Sequence, residues 1–221
     1  MRLDLGCPVR CTDDAFGELA DVVIDPTTRR VTHLVVQPSL PGEPARLVPV
    51  ERARAGEEAD GTIALDGSIA EINQLEPVRE SAYLRLGEVP AEDPDWEVGI
   101  EEMLAQPYYQ GLDAVGAEPI AYDDHVMWQY DRIPKGDVEI RRASPVTSAD
   151  RHQLGHVDGF LVDDRDHIGH LVLEHGHLWG KREVVIPIGA VARVETDAVV
   201  LTLSKDEVGA LESHRVHRWR S

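Results

Sequence analysis

Six of the ten histidines fall between His152 and His177. Neutral imidazole is a common zinc ligand, so His170, His175 and His177 are the residues whose chemistry could gather an ion. Side chains two apart on a strand share a face, which joins His175 to His177 if the strand runs that far. No Cys/His set at zinc-site spacing accompanies them. No metal is assigned on this pattern, and the three histidines stand as the candidates for one. His170 also recurs as His33, which argues equally for a half-buried imidazole with its hydrogen bonds satisfied inside a barrel.

Other reactive side chains lack the neighbours that would activate them. Ser144, Ser148, Ser204 and Ser213 sit in turn or helix-cap contexts, none within a Gly-x-Ser-x-Gly elbow. Asp163, Asp164 and Asp166 begin like a calcium loop, but the glycine and the distal glutamate are misplaced, which leaves a charged turn. Neither form of glycine-rich phosphate loop is present. The sequence therefore assigns no catalytic residue and no cofactor. Trp179 differs in kind. It lies in a turn bounded by Gly176 and Gly180, beside His177, Lys181 and Arg182, and Trp and Arg are frequent anchors of protein interfaces. His177, Trp179, Lys181 and Arg182 form the candidate partner-binding patch. The alternative for Trp179 is a plug at a barrel mouth or between repeats.

The elements that must position these residues read as strands. His170–Leu173 and Val184–Ile188 are β-branched and leucine-rich runs split by the glycine-bounded turn, the pattern of neighbouring antiparallel strands. A diverged copy lies in the first half: Val9, Leu19–Ile24, Val31–Val36, Leu47–Val50 and Ile63–Leu65 give about five strands between turn residues. Pro8-Val9 matches Pro145-Val146, Gly17 matches Gly155, Asp25 matches Asp163, and His33-Leu34-Val35 matches His170-Leu171-Val172. Pro49 falls on Pro187 and Leu65 on Leu203, and the capping box Ser68–Glu71 returns as Ser204–Glu207, with Leu75 on Leu211. Two capping boxes in register behind matching strands indicate an internal duplication.

Residues 85–140 have another character, with 14 Asp and Glu against 3 Lys and Arg. Asp93-Pro94 reads as an N-cap followed by proline at the first helical position, and Trp96, Ile100, Met103 and Leu104 make one apolar stripe. This spacing predicts a helix near 94–105, ended by Pro107. The remainder, with Tyr108-Tyr109 and Met127–Tyr130, reads as turn-rich and aromatic. The basic tail His214–Arg220 could pair with this acidic segment, within the chain or in a dimer.

A formal net charge of −19 over 221 residues argues against direct nucleic-acid binding, because phosphate affinity comes from Lys and Arg. An acidic chain suits a basic protein partner. No apolar run approaches the roughly 20 residues of a membrane span, and Met1–Asp4 lacks the apolar core of a signal peptide. Cys7 and Cys11, four apart, are too distant along a strand to bridge. These features point to a cytoplasmic protein with reduced thiols.

The order of motifs resembles the PRC-barrel family. The resemblance rests on Val146–Asp150, Gly155-x-Val157-Asp158-Gly159-Phe160-x-Val162-Asp163, His170–Val172, Gly176–Gly180 and Ile186-Pro187, and more loosely on Gly17–Asp21, Asp25 and Leu47–Val50. It covers the two repeats and not residues 85–140. The family implies a small, strongly bent β-barrel. It occurs in the cytoplasmic part of the photosynthetic reaction-centre H subunit and in the C-terminal domain of a small-subunit ribosome maturation factor. Its members act as docking modules without shared catalytic residues.

The expected fold is mainly β, with two small SH3-like, PRC-type barrels at 1–84 and 141–221 joined by the acidic segment 85–140 with its short helix. The expected function is non-enzymatic docking or scaffolding of a protein partner through barrel loops and the acidic segment, with a homodimer possible. The alternative is an accessory of ribosome assembly or RNA processing that binds a basic ribosomal protein, and a metal-binding sensor comes third.

Overall fold

The computed structural model describes residues 1–56, 61–85, 96–101, 125–142, 144–175, 182–195, 198–211 and 213–215. The first run of elements is β1 (Arg2–Asp4), β2 (Pro8–Arg10), β3 (Ala15–Asp25), β4 (Arg30–Pro38), β5 (Arg46–Pro49), a 3-10 turn (Val50–Arg52), β6 (Ala53–Ala55), β7 (Ile63–Leu65) and α1 (Ile69–Ile72). Next come β8 (Arg79–Arg85), β9 (Trp96–Glu101) and β10 (His125–Pro134). The last run is β11 (Val138–Arg141), β12 (Pro145–Thr147), β13 (Gln153–Val162), β14 (Ile168–His175), β15 (Arg182–Pro187), a 3-10 turn (Ile188–Ala190), β16 (Val191–Glu195), β17 (Ala198–Leu201), α2 (Lys205–Gly209) and β18 (Ser213–Arg215).

The chain divides into two compact units, residues 1–77 with 136–221, and residues 78–135. The larger is mainly β, with two curled sheets, one of them a half-barrel. Their strand orders are β5-β4-β3-β2-β7-β6 and β15-β14-β13-β12-β17-β16, with β18 added outside β15. In each, the short strands β2 and β12 lie antiparallel to β3 and β13 and parallel to β7 and β17. The long strands carry bulges at the same place, skipping Ala20 in one and Asp158 in the other. Ladder register pairs Leu65 with Ala53 and Leu201 with Val191. Leu201 is therefore the counterpart of Leu65, not Leu203, which lies beyond the end of β17.

Gly17 and Gly155 show why a bend needs glycine. A Cβ at either would overlap a backbone carbonyl of the facing strand, Gln37 for the first and Glu174 for the second. Each helix is short and held by its first turn. Ser68 accepts from the Glu71 N–H at 3.3 Å while Glu71 accepts from the Ser68 N–H at 2.8 Å, and Ser204 and Glu207 repeat both distances. A second carboxylate reinforces each end, Asp13 accepting from the Ile69 N–H and Asp150 from the Lys205 N–H, both at 3.0 Å.

Two strands cross between the sheets. β1 precedes the first sheet in sequence but pairs with β13, setting Leu3 against Phe160 and Asp4 against Gly159. β11 precedes the second sheet but pairs with β3, setting Ile140 against Val22. One hydrophobic cluster among the described residues takes in Leu3, Val22, Leu34, Ile140, Phe160, Leu171 and Ile186, so burial of apolar area couples both sheets.

The smaller unit is a three-stranded antiparallel sheet in the order β8-β10-β9. It corrects the helix expected near 94–105: residues 96–101 are a strand, and the rest of that span lies outside the described residues. Trp96, Val98 and Ile100 alternate with Glu97, Gly99 and Glu101, a period of two that the helical stripe also contained. Gly99 inside a helix would cost about 1 kcal/mol relative to alanine, while β10 offers a full ladder. Met127–Tyr130, read as turn-rich, lies within β10.

Candidate functional site

β14 and β15 place the candidate side chains. Their ladder is regular, with His170 opposite Pro187 and His175 opposite Arg182. His170 and His175 are five positions apart without a bulge, so they point to opposite faces of the sheet. The Nδ1 of His175 hydrogen-bonds to the Leu154 carbonyl oxygen, which commits one ring nitrogen to holding β14 beside β13. His177, Trp179 and Lys181 lie outside the described residues. Arg182 is exposed at the start of β15. Among the described residues no group of three or more His, Cys, Asp or Glu could hold a metal ion.

His33 takes the equivalent place in β4, opposite Pro49 and Val23. It is half-buried as expected, but not satisfied: its Nδ1 has no hydrogen-bond partner among the described residues. Burial pushes its pKa below the ordinary value, against the pull of Asp137 and Glu51.

The structure brings together three residues that sequence reading did not connect. Ser148, Asp150 and His152 share one turn, with Asp150 3.5 Å from the Nε2 of His152. The Ser148 hydroxyl, however, donates to the His152 backbone oxygen at 3.1 Å and accepts from its N–H at 3.0 Å, and Ser148 is only 1% exposed. A nucleophile needs its hydroxyl on the imidazole and open to substrate; here the group closes a turn. Asp163 is similarly occupied, accepting from the N–H groups of Arg165 at 2.8 Å and His167 at 2.9 Å. Those bonds hold its carboxyl below the usual range. Cys7 and Cys11 are buried and form no disulfide, at the places that Ser144 and Ser148 occupy in the second half. Burial, and then Asp13, push the Cys11 thiol up to about 11, which leaves it protonated at neutral pH.

Two surface features share one corner of the repeated strand order. In the first half a depression of about 480 Å³ is lined by Gly6, Pro8, Glu18, Gln37 and Ser39. The counterpart of its Gln37-Pro38 edge is Glu174-His175 in β14. There the ladder sets His175, Arg182 and Arg215 in a row across β14, β15 and β18. The sequence showed Arg215 only as part of a basic tail; its strand pairing places it opposite Arg182.

Compared with known proteins, the chain matches no family model and no curated sequence. No helix among the described residues is long and apolar enough to cross a membrane.

Proposed function

We propose that this chain is a non-enzymatic docking protein of the cytoplasm, built from two duplicated PRC-type barrel modules, whose second-half corner and acidic middle segment engage a protein partner, the acidic segment meeting a basic face of that partner. The observation that carries this reading is the employment of its reactive groups. Ser148, Asp150, Asp163 and His175 are each committed to backbone hydrogen bonds that set turns and strand contacts. Side chains spent on rigidity suit a frame that presents loops. The shared strand order, the matching bulges and the paired capping boxes support the duplication. The concentration of acidic residues in 85–140 supports the choice of a basic partner.

Affinity capture from native lysate, run side by side with the wild-type chain, with Trp179→Ala plus Arg182→Ala, and with the acidic residues of 85–124 converted to amides, tests this. A basic protein should be retained by the wild type and lost at least tenfold in both variants, with retention falling as salt rises. Capture that is indifferent to both variants and to salt would overturn the reading.

A further inference from the structure

The contacts between the two halves of the larger unit repeat under exchange of the halves. Leu3 meets Phe160 where Ile140 meets Val22, and these are equivalent positions of the two sheets. At the hairpin tips the Val31 N–H donates to the Asp166 oxygen at 2.9 Å, and the Ile168 N–H donates to the Arg29 oxygen at 3.0 Å, around an Arg30–His167 bridge. Arg29 and Asp166 are again equivalents, and both have left-handed φ, 58° and 62°. Each half therefore offers the other the same pair of surfaces: a strand donated to the partner's long central strand, and a hairpin tip that reads its own counterpart. A self-complementary interface of this kind is the geometry of a two-fold homodimer. All of these contacts lie within 1–77 and 136–221, while the covalent path between the halves runs through 78–135.

We infer that residues 1–77 and 136–221 are partners across an interface that holds without the covalent link, so that the first half of one copy of this chain can be completed by the second half of another. Leu3 and Ile140 are 0% and 1% exposed, and each lies on a strand laddered to the opposite half, so a separated half would lose the neighbour of its apolar strand and expose it to water. The favoured partner for either half is thus the other half, in cis or from a second copy.

The test uses the full chain with a protease site inserted at the exposed turn Lys135-Gly136, folded first and cut afterwards. Cutting there leaves β1 to β10 on one fragment and β11 to β18 on the other. The expected result is co-elution at the mass of the uncut chain and a single melting transition. Its midpoint should rise with protein concentration in the cut sample and stay fixed in the uncut one. Two cut samples bearing different affinity tags, mixed and incubated below the transition, should yield a hybrid retained by both tags. Leu3→Ala in the cut sample should weaken fragment association at least tenfold, and Leu3→Ile should recover most of it. Separation of the fragments on gel filtration at micromolar concentration, two independent melting transitions, or no hybrid after incubation would each overturn the inference.

Discussion

Single residues in this molecule set conditions on the backbone rather than on a reaction. Gly17→Ala and Gly155→Ala each drive a methyl group into a carbonyl that belongs to a ladder. Stiffening the unfolded chain returns less than about 1 kcal/mol, while overpacking costs roughly 1–3 kcal/mol, so both variants should lose stability in urea titrations by about the difference. His33 supplies a pH dependence of known sign. Its folded pKa lies below the ordinary 6.5, so the unfolded chain takes up the proton first. Stability should be flat above pH 6.5 and decline as pH falls below it, ahead of any carboxylate contribution. Denaturation midpoints across that window should show a shallower decline for His33→Gln. An unchanged slope would mean that the half-buried imidazole carries no such penalty. His33 was legible as a repeated strand position from its recurrence as His170; that its Nδ1 finds no hydrogen-bond partner among the described residues was not, because a missing partner is a property of three-dimensional surroundings.

At the scale of elements, the two helices are four and five residues long, too short to form on propensity alone. Their caps therefore decide whether they exist. Ser68→Ala and Ser204→Ala should each cost about 1 kcal/mol, measured by chemical denaturation. Asp13→Ala and Asp150→Ala should add a smaller loss, because each removes only one further acceptor from a helix start. The capping boxes were readable because their signal is local, four residues with a fixed spacing. So were the strands built on Leu19–Ile24 and Val31–Val36, where long apolar runs settle burial. β6 escaped notice because Ala53-Arg54-Ala55 has little apolar pattern and owes its state to β7. β9 was misread because its apolar residues fit two periods at once, and the neighbouring strand selects between them. β18 was hidden in a run of basic residues, where charge says nothing about the open edge of β15.

For the whole molecule, the exchange of β1 and β11 makes one unit of two sheets that the sequence presents as separate modules. Strand sequences advertise which face is apolar; they do not say which neighbour will cover it. Of the candidate patch, Arg182 stands opposite His175, a proximity implied by reading His170–Leu173 and Val184–Ile188 as neighbouring antiparallel strands. Its extension to Arg215 depended on a pairing across the sheet that no local pattern encodes.

The pairing of Cys7 and Cys11 with Ser144 and Ser148 gives this near-symmetric unit a chemical label on one side only. A maleimide dye can modify the protein only when the first sheet loosens enough to admit it, since both thiols are 8% exposed. Openings confined to the second sheet leave no mark. Labelling rates compared with those of a Cys7→Ser, Cys11→Ser chain carrying Ser144→Cys should thus read the breathing of the two sheets separately. If the crossing strands lock the sheets together, the two clocks will run at one rate.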